Sequence, residues 1–175
     1  GGLIMKMLKK AAAVLLAAAM SLVMLTACGG GSSVAKTDEQ KVEDAYMAIF
    51  EEVLGKECTN DVALKAQLKD IFAKNVADDN KAKPARAQFN VDEAKRTASM
   101  YNIVVDDKGY AVGLTSDEVN QLNNPQFVKD VASQYSALLK NDTVGIDMSK
   151  ITKVAVAGIK KGDKTYTILG FTIEG

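Results

Sequence analysis

The feature that most restricts how this chain can fold is an uncharged run of 17 residues at positions 11–27. Lys6, Lys9 and Lys10 precede the run, and the small polar stretch Gly-Gly-Gly-Ser-Ser follows it at 29–33. A basic head, an apolar segment and a small residue before a cleavage point are typical of a secretory signal. A membrane-spanning helix needs about 20 apolar residues, so this alanine-rich run is short for one. The folded part is therefore expected to begin after residue 27.

The run ends in Leu25, Thr26, Ala27 and Cys28, and this tetrapeptide resembles the lipobox of bacterial lipoproteins. The family implies that Cys28 is diacylated on its sulfur, becomes the new N-terminus and tethers the chain to a membrane of the cell envelope, outside the cytoplasm. By the family's sorting rule, Gly29 permits export to an outer membrane where the cell has one. The alternative is a plain secretory signal, which is cleaved after an A-x-A-like site.

These features divide the chain into a signal peptide at 1–27, a lipidated tether at 28–36 and a single domain at 37–175. Residues 1–4 precede the first methionine, and we expect translation to start at Met5 or Met7. Random-coil scaling gives the tether a mean span of about 15–17 Å, which keeps the domain near the membrane. Removal of the signal leaves 19 basic and 22 acidic side chains, a formal net charge of −3. Nucleic acid is not an expected partner, because binding phosphates requires clustered Lys and Arg.

Apolar residues at helical spacing predict two helices at the start of the domain. Thr37-x-x-Gln40 is a capping box, and Gly55 closes the first helix. Its buried face would consist of Val42, Ala45, Tyr46, Ile49, Phe50, Val53 and Leu54. Thr59 or Asn60 is expected to cap the second helix. Its buried stripe would consist of Leu64, Leu68, Ile71, Phe72 and Val76, and its exposed face of Lys65, Lys69, Asp70 and Lys74.

The middle of the domain is predicted to contain a loop, a third helix and a strand pair. The loop runs from 78 to 88, and Asn90-x-x-Glu93 has the pattern of another capping box. The face of the third helix would consist of Ala94, Ala98 and Tyr101. Residues 103–105 and 110–112 flank a turn sequence, Asp-Asp-Lys-Gly, which predicts strand, turn and strand.

The last third is predicted to contain two further helices and a hairpin. Thr115-x-x-Glu118 predicts a short helical turn ending at Asn123, and Asn124-Pro125 predicts a longer helix with proline at its first position. The apolar face of that helix would consist of Phe127 or Val128, Val131, Ala132, Tyr135, Leu138 and Leu139. The segments 151–159 and 165–173 flank a charged turn with glycine and have the strongest hairpin pattern. The expected fold is a single α+β domain, with an antiparallel sheet of about four strands packed with four to five helices.

Histidine is absent from the sequence, and this absence excludes more chemistry than any other feature. A Ser-His-Asp triad, a Cys-His pair and a conventional zinc site are all impossible without it. We therefore expect no catalytic residue, no metal site and no cofactor. Cys58 has no internal disulfide partner if lipid occupies Cys28. It is then an inert residue in a helix–helix turn, a reactive thiol or a cysteine that pairs with another molecule.

Three other patterns have some features of functional sites. The pairs Asp78-Asp79 and Asp106-Asp107 could offer oxygen ligands to calcium, but they lack the alternating pattern of a calcium loop and fall where turns favour Asp. Ser136 and Lys140 lie one helical turn apart, the spacing that a Ser–Lys pair would need. The segment 158–165 misses the spacing of a phosphate-binding loop and lies on the hairpin, so it is rejected.

The predicted elements follow the order helix, helix, hairpin, helix and final hairpin. The final hairpin contains Thr-Lys-Val-Ala-Val at 152–156 and Lys-Thr-Tyr-Thr at 164–167. This order and these two segments resemble the end of the CAP (SCP-like) domain. Members of that family in bacterial envelopes bind lipids or other small ligands, and some have a histidine-centred cleft. The absence of histidine means that this cleft chemistry is missing here. The helices-first order also resembles cystatin-like and NTF2-like lipoprotein domains, although a helix at 125–139 departs from their pattern.

The favoured hypothesis is a membrane-tethered envelope lipoprotein whose domain binds a small ligand or another envelope protein without catalysis. The alternative is a histidine-independent hydrolase, using carboxylates or the Ser–Lys pair, or a degenerate CAP-like domain. A transporter's substrate-binding component ranks last, because the domain is too small for two lobes that close on a solute.

Overall fold

The computed structural model describes residues 35–140 and 147–175, except for the side chains of residues 138–140. The expected signal peptide, the lipobox at 25–28 and most of the tether lie outside the described residues, as do the side chains of Leu138 and Leu139. The described part contains four α-helices, a short 3-10 helix and a four-stranded antiparallel sheet. The prediction of a single α+β domain is confirmed. None of its helices is long and apolar enough to cross a membrane.

Helix α1 spans Asp38–Leu54 and has the predicted boundaries. Thr37 and Gln40 form both hydrogen bonds of the capping box, and Gly55 ends the helix with a φ of 66°. Helix α2 spans Val62–Asn75, but its N-cap is Asp61, whose side chain accepts a hydrogen bond from the backbone of Leu64. The predicted caps, Thr59 and Asn60, were wrong by one or two residues because Asn60 bonds to the sheet instead.

The other helices follow their predicted start signals. Helix α3 spans Ser116–Gln121 and begins at the capping box of Thr115 and Glu118. Helix α4 spans Pro125–Lys140, and proline occupies its first position as predicted. A 3-10 helix at Met148–Lys150 leads into the final hairpin.

The sheet consists of strands β1 (Arg86–Asp92), β2 (Thr97–Ile103), β3 (Ile151–Lys161) and β4 (Lys164–Glu174). All neighbours are antiparallel, in the order β1-β2-β4-β3. The predicted hairpin is confirmed as β3 and β4. Its two-residue turn has glycine at the first position, with a φ of 66° at Gly162, and such turns match the twist of the strands they join.

Strands β1 and β2 replace the predicted third helix and part of the predicted loop. Asn90 lies in β1 with a φ of 53°, where the pairing with β2 shifts register between Phe89 and Asp92. The side chain of Asp92 accepts a hydrogen bond from the backbone of Lys95, and residues 93–96 form the turn to β2. Short polar side chains stabilise turns as well as helix caps, which explains the error. The side chains of Phe89 in β1 and Tyr101 in β2 lie on the same face of the sheet, with ring centroids 5.9 Å apart. The predicted strand pair after β2 is reduced to an isolated bridge between Val105 and Ala111.

The two long N-terminal helices lie on opposite faces of the sheet. Val154 and Val156 of β3 belong to the core beneath α1, while Ala155 and Ala157 belong to the core beneath α2. Alternate residues of a strand point to opposite faces, so the two cores are separated by the sheet. Helices α3 and α4 pack against α1 on the first face. As a result, α1 and α2 stand on either side of β3, which is an edge strand.

Candidate binding groove

An open groove of about 700 Å³ lies along the outer edge of β3, between the first turns of α1 and the length of α2. The apolar residues of its wall are Phe72, Ala73, Val76 and Ile159. The polar and charged side chains that surround them are Thr37, Glu39, Gln40, Glu43, Lys65, Lys69, Asp78, Lys160 and Lys161. A groove that combines an apolar wall with convergent polar groups is the usual form of a ligand site.

One half of the outer edge of β3 is covered by the chain between α1 and α2. The backbone N–H of Asp61 donates to the carbonyl oxygen of Val154 at 3.0 Å. The side-chain amide of Asn60 donates to the carbonyl oxygen of Val156 at 2.9 Å and accepts from its N–H at 3.0 Å. An uncovered edge strand can pair with another chain, and these contacts prevent that along the first half of β3.

Glu43 closes this covered half. Its side chain is buried, and its Oε1 accepts a hydrogen bond from the backbone N–H of Gly158 at 3.2 Å. Its Oε2 lies 2.7 Å from Nζ of Lys65, whose side chain is 28% exposed. The ion pair therefore joins α1 to α2 around the edge of the sheet. Gly158 allows α1 to approach this closely, because a Cβ there would lie 2.7 Å from the carbonyl oxygen of Glu39.

Beyond this ion pair no described residue pairs with the outer edge of β3. Backbone groups of alternate residues point to the same side of a strand, so Lys160 faces outward, as Val156 and Gly158 do. The carbonyl oxygen of Gly158 and both backbone groups of Lys160 have no hydrogen-bond partner among the described residues. These three groups lie where the groove runs along the strand.

Two lysines of the hairpin are fixed by contacts at the far end of the groove. Nζ of Lys160 lies 2.9 Å from Oδ2 of Asp38, which also accepts a hydrogen bond from Ser116 at 2.6 Å. These hydrogen bonds, that from Ser116 first, lower the pKa of the Asp38 carboxyl, and the bond to Asp38 raises the pKa of Lys160. Nζ of Lys161 donates to Oδ1 of Asn80 at 2.8 Å.

The two helices give the groove walls of opposite charge. Glu39 and Glu43 are four residues apart on α1, and Lys65 and Lys69 are four residues apart on α2, so each pair shares a helix face. Glu43 and Lys65 meet in the closed half. Glu39 and Lys69 line the open half and form no salt bridge within the described residues. The α1 side also carries the Asp38–Lys160 ion pair, which leaves its net charge negative, and the α2 end also carries Asp78 and Lys161, which leaves its net charge positive. A wall of net negative charge and a wall of net positive charge therefore flank the open edge of β3.

A second, much smaller cavity of about 50 Å³ lies between α1, α4 and the sheet. Its lining residues include Tyr46, Tyr135 and Leu169, and the surface that they present to the cavity is apolar. Burial raises the pKa of Tyr46 well above its usual value and that of Tyr135 to about 12. None of the described residues presents a polar group to this cavity that could orient a ligand.

Within the part of the chain that the structure describes, the candidates from the sequence do not converge on a reaction centre. Burial raises the pKa of the Cys58 thiol, which donates to the carbonyl oxygen of Lys56 at 3.5 Å. Side-chain oxygens of Asp79 and Asp106 accept turn hydrogen bonds from nearby backbone N–H groups, as expected of turns. Among the described residues, no cluster of acidic or cysteine side chains could hold a metal ion. Cys28 and the side chain of Lys140 lie outside the described residues.

The groove was not predicted from the sequence. Lys65 was expected to be exposed but is half-buried, and Asn60, a predicted helix cap, bonds to β3 instead. The sequence does contain the four-residue spacing of the two acidic residues on α1 and of the two lysines on α2. However, their juxtaposition depends on β3 passing between them.

Comparisons of this chain with protein-family models, with curated proteins and with solved structures found no match.

Proposed function

We propose that this protein is a lipid-anchored binding protein of a bacterial cell envelope. Cys28 carries the lipid, and the domain holds a small ligand or another envelope protein in the groove beside β3 without catalysing a reaction. The observation that carries the proposal is the groove itself, in which an open strand edge, an apolar wall and two charged walls converge. The lipobox pattern of residues 25–28 supports the anchor.

The position of the groove fits a tethered domain. Thr37 lines the groove and directly follows the expected tether. A tether with a mean span of about 15–17 Å would hold this end of the domain close to the membrane. A partner anchored in the same membrane would then meet the groove at high effective concentration.

The anchor is tested by intact mass and membrane partitioning of the full-length protein beside Cys28→Ala. The proposal predicts a diacylglycerol-sized mass increment and membrane partitioning for the wild type, and loss of both in the variant. Equal masses and equal partitioning would contradict the anchor.

Binding at the groove is tested in cells with a photo-crosslinking amino acid at position 69. The matched control places it at Lys108, an exposed turn residue outside the groove. We expect a defined adduct from position 69 and none from position 108. Equal labelling from both positions would contradict binding at the groove.

A further inference from the structure

We propose that the groove binds an extended peptide segment, which adds to the outer edge of β3 as a fifth strand. This inference rests on the proposed binding function and specifies the class of partner. The occupant has a basic side chain on one face of the added strand and an acidic side chain next to it on the other face.

The backbone chemistry of the groove selects an extended chain. The covered half of β3 satisfies its outward groups with Asn60, Asp61 and Glu43. The open half offers a carbonyl oxygen at Gly158 and an N–H and a carbonyl oxygen at Lys160. Alternating acceptors and donors along a strand edge are complementary to the backbone of another strand.

The segment between α1 and α2 already pairs with a short part of the outer edge of β3. Asn60 forms a parallel bridge with Val154, so residues 60–61 follow the edge of β3 for a short distance. This segment then turns away into α2. The Glu43–Lys65 ion pair at Gly158 marks the end of the covered part. An added peptide would lie along the edge from there towards the hairpin turn.

The charges of the walls determine which side chains fit. Side chains of an added strand alternate between the face of α1 and the face of α2. Those towards α1 meet Glu39, which favours lysine or arginine. Those towards α2 meet Lys69, and further along they meet Phe72 and Val76, which favours a carboxylate followed by an apolar residue two positions away.

The probe is the peptide Gly-Lys-Glu-Lys-Val-Thr-Gly-NH2 with fluorescein on its N-terminal amine, titrated against the full chain in mild detergent and measured by fluorescence anisotropy. Two further versions are N-methylated at alternate residues, so that each lacks one set of backbone N–H groups. Only one set can face β3. We expect one version to lose about tenfold or more in affinity, and the other to change by less than threefold.

The protein variant that tests the same contact is Lys160→Pro. Proline lacks an N–H and is tolerated on an edge strand where that group faces outward. Lys160→Ala removes the same ion pair with Asp38 but keeps the N–H, so it shows how much the side chain alone contributes to the affinity for the peptide. We expect Lys160→Pro to weaken binding about tenfold relative to Lys160→Ala. If Lys160→Pro fails to fold, as shown by loss of the thermal transition, the N-methylated peptides on the unaltered chain decide.

Lys69→Glu tests the charged wall, because it makes both walls negative. It should weaken the probe at low salt about tenfold and strengthen an all-lysine peptide. Equal binding of the two N-methylated versions, or no binding of the probe at all, would overturn the strand-addition proposal. If crosslinking from position 69 persists in that case, only this inference fails. If crosslinking is absent as well, the proposed binding function fails with it.

Discussion

Replacing Glu43 should destabilise the domain more than replacing any exposed charge, because this side chain joins three elements. Glu43→Ala leaves the buried N–H of Gly158 without an acceptor, which costs about 1–3 kcal/mol. It also removes the partner of Lys65. That side chain is 28% exposed and can reach water, so the ion pair adds about 1 kcal/mol, well below the cost of breaking a fully buried pair. The expected loss in free energy of unfolding is about 2–4 kcal/mol.

Two matched variants separate these contributions. Glu43→Gln keeps an oxygen that can accept from Gly158, so it should cost about 1–2 kcal/mol. Lys65→Met keeps the carboxylate bonded to Gly158 and should cost a similar amount. Urea unfolding followed by circular dichroism gives each value, and the cycle of Glu43→Ala with Lys65→Met gives the coupling, expected at about 1 kcal/mol. A coupling near zero would show that the ion pair contributes nothing, and equal losses for Glu43→Gln and Glu43→Ala would show that the bond to Gly158 contributes nothing.

Three further predictions concern local features of the fold. Oγ1 of Thr165 is buried without a hydrogen-bond partner among the described residues. Thr165→Val should therefore stabilise the domain by about 1 kcal/mol, measured by urea unfolding. A loss of stability would show that the hydroxyl is bonded. Arg96 has a φ of 53°, so Arg96→Gly should raise the melting temperature, whereas Arg96→Ala should not. Asp38 has a lowered pKa in the folded state, so its stabilising contribution is present above the unfolded pKa of about 3.9 and is lost as pH falls through the folded pKa. Asp38→Asn should therefore be less stable than the wild type at pH 7 in urea unfolding, and the difference should shrink towards pH 3; a difference that is the same at both pH values would contradict this.

The elements that could be predicted from the sequence are those specified by nearby residues. Helix α1 has a capping box, a continuous apolar face and a C-terminal glycine within one segment. Helix α4 starts at Pro125, and the hairpin of β3 and β4 has its own turn sequence. Each signal lies within the element that it specifies, so no tertiary information was needed.

The elements that were mispredicted depend on distant residues. Strand β2 is held by β4, and Ser99 bonds to Thr172 across that pair at 2.9 Å. The local pattern at Asn90 fits a helix cap equally well, and only the sheet decides between them. The groove was unpredictable for the same reason, because Glu43 meets Lys65 only once both helices flank the edge of β3.

Amide hydrogen exchange at Lys160, measured by NMR on the full chain with and without the probe peptide, shows whether the edge of β3 is free to pair with an added strand. We expect slow exchange at Gly158, whose N–H is bonded to Glu43, and fast exchange at Lys160 in the free protein. Addition of the peptide should then slow exchange at Lys160 by at least tenfold and leave Gly158 protected. Protection of Lys160 in the free protein, or unchanged exchange at saturating peptide, would show that the edge of β3 is not a binding site for an added strand.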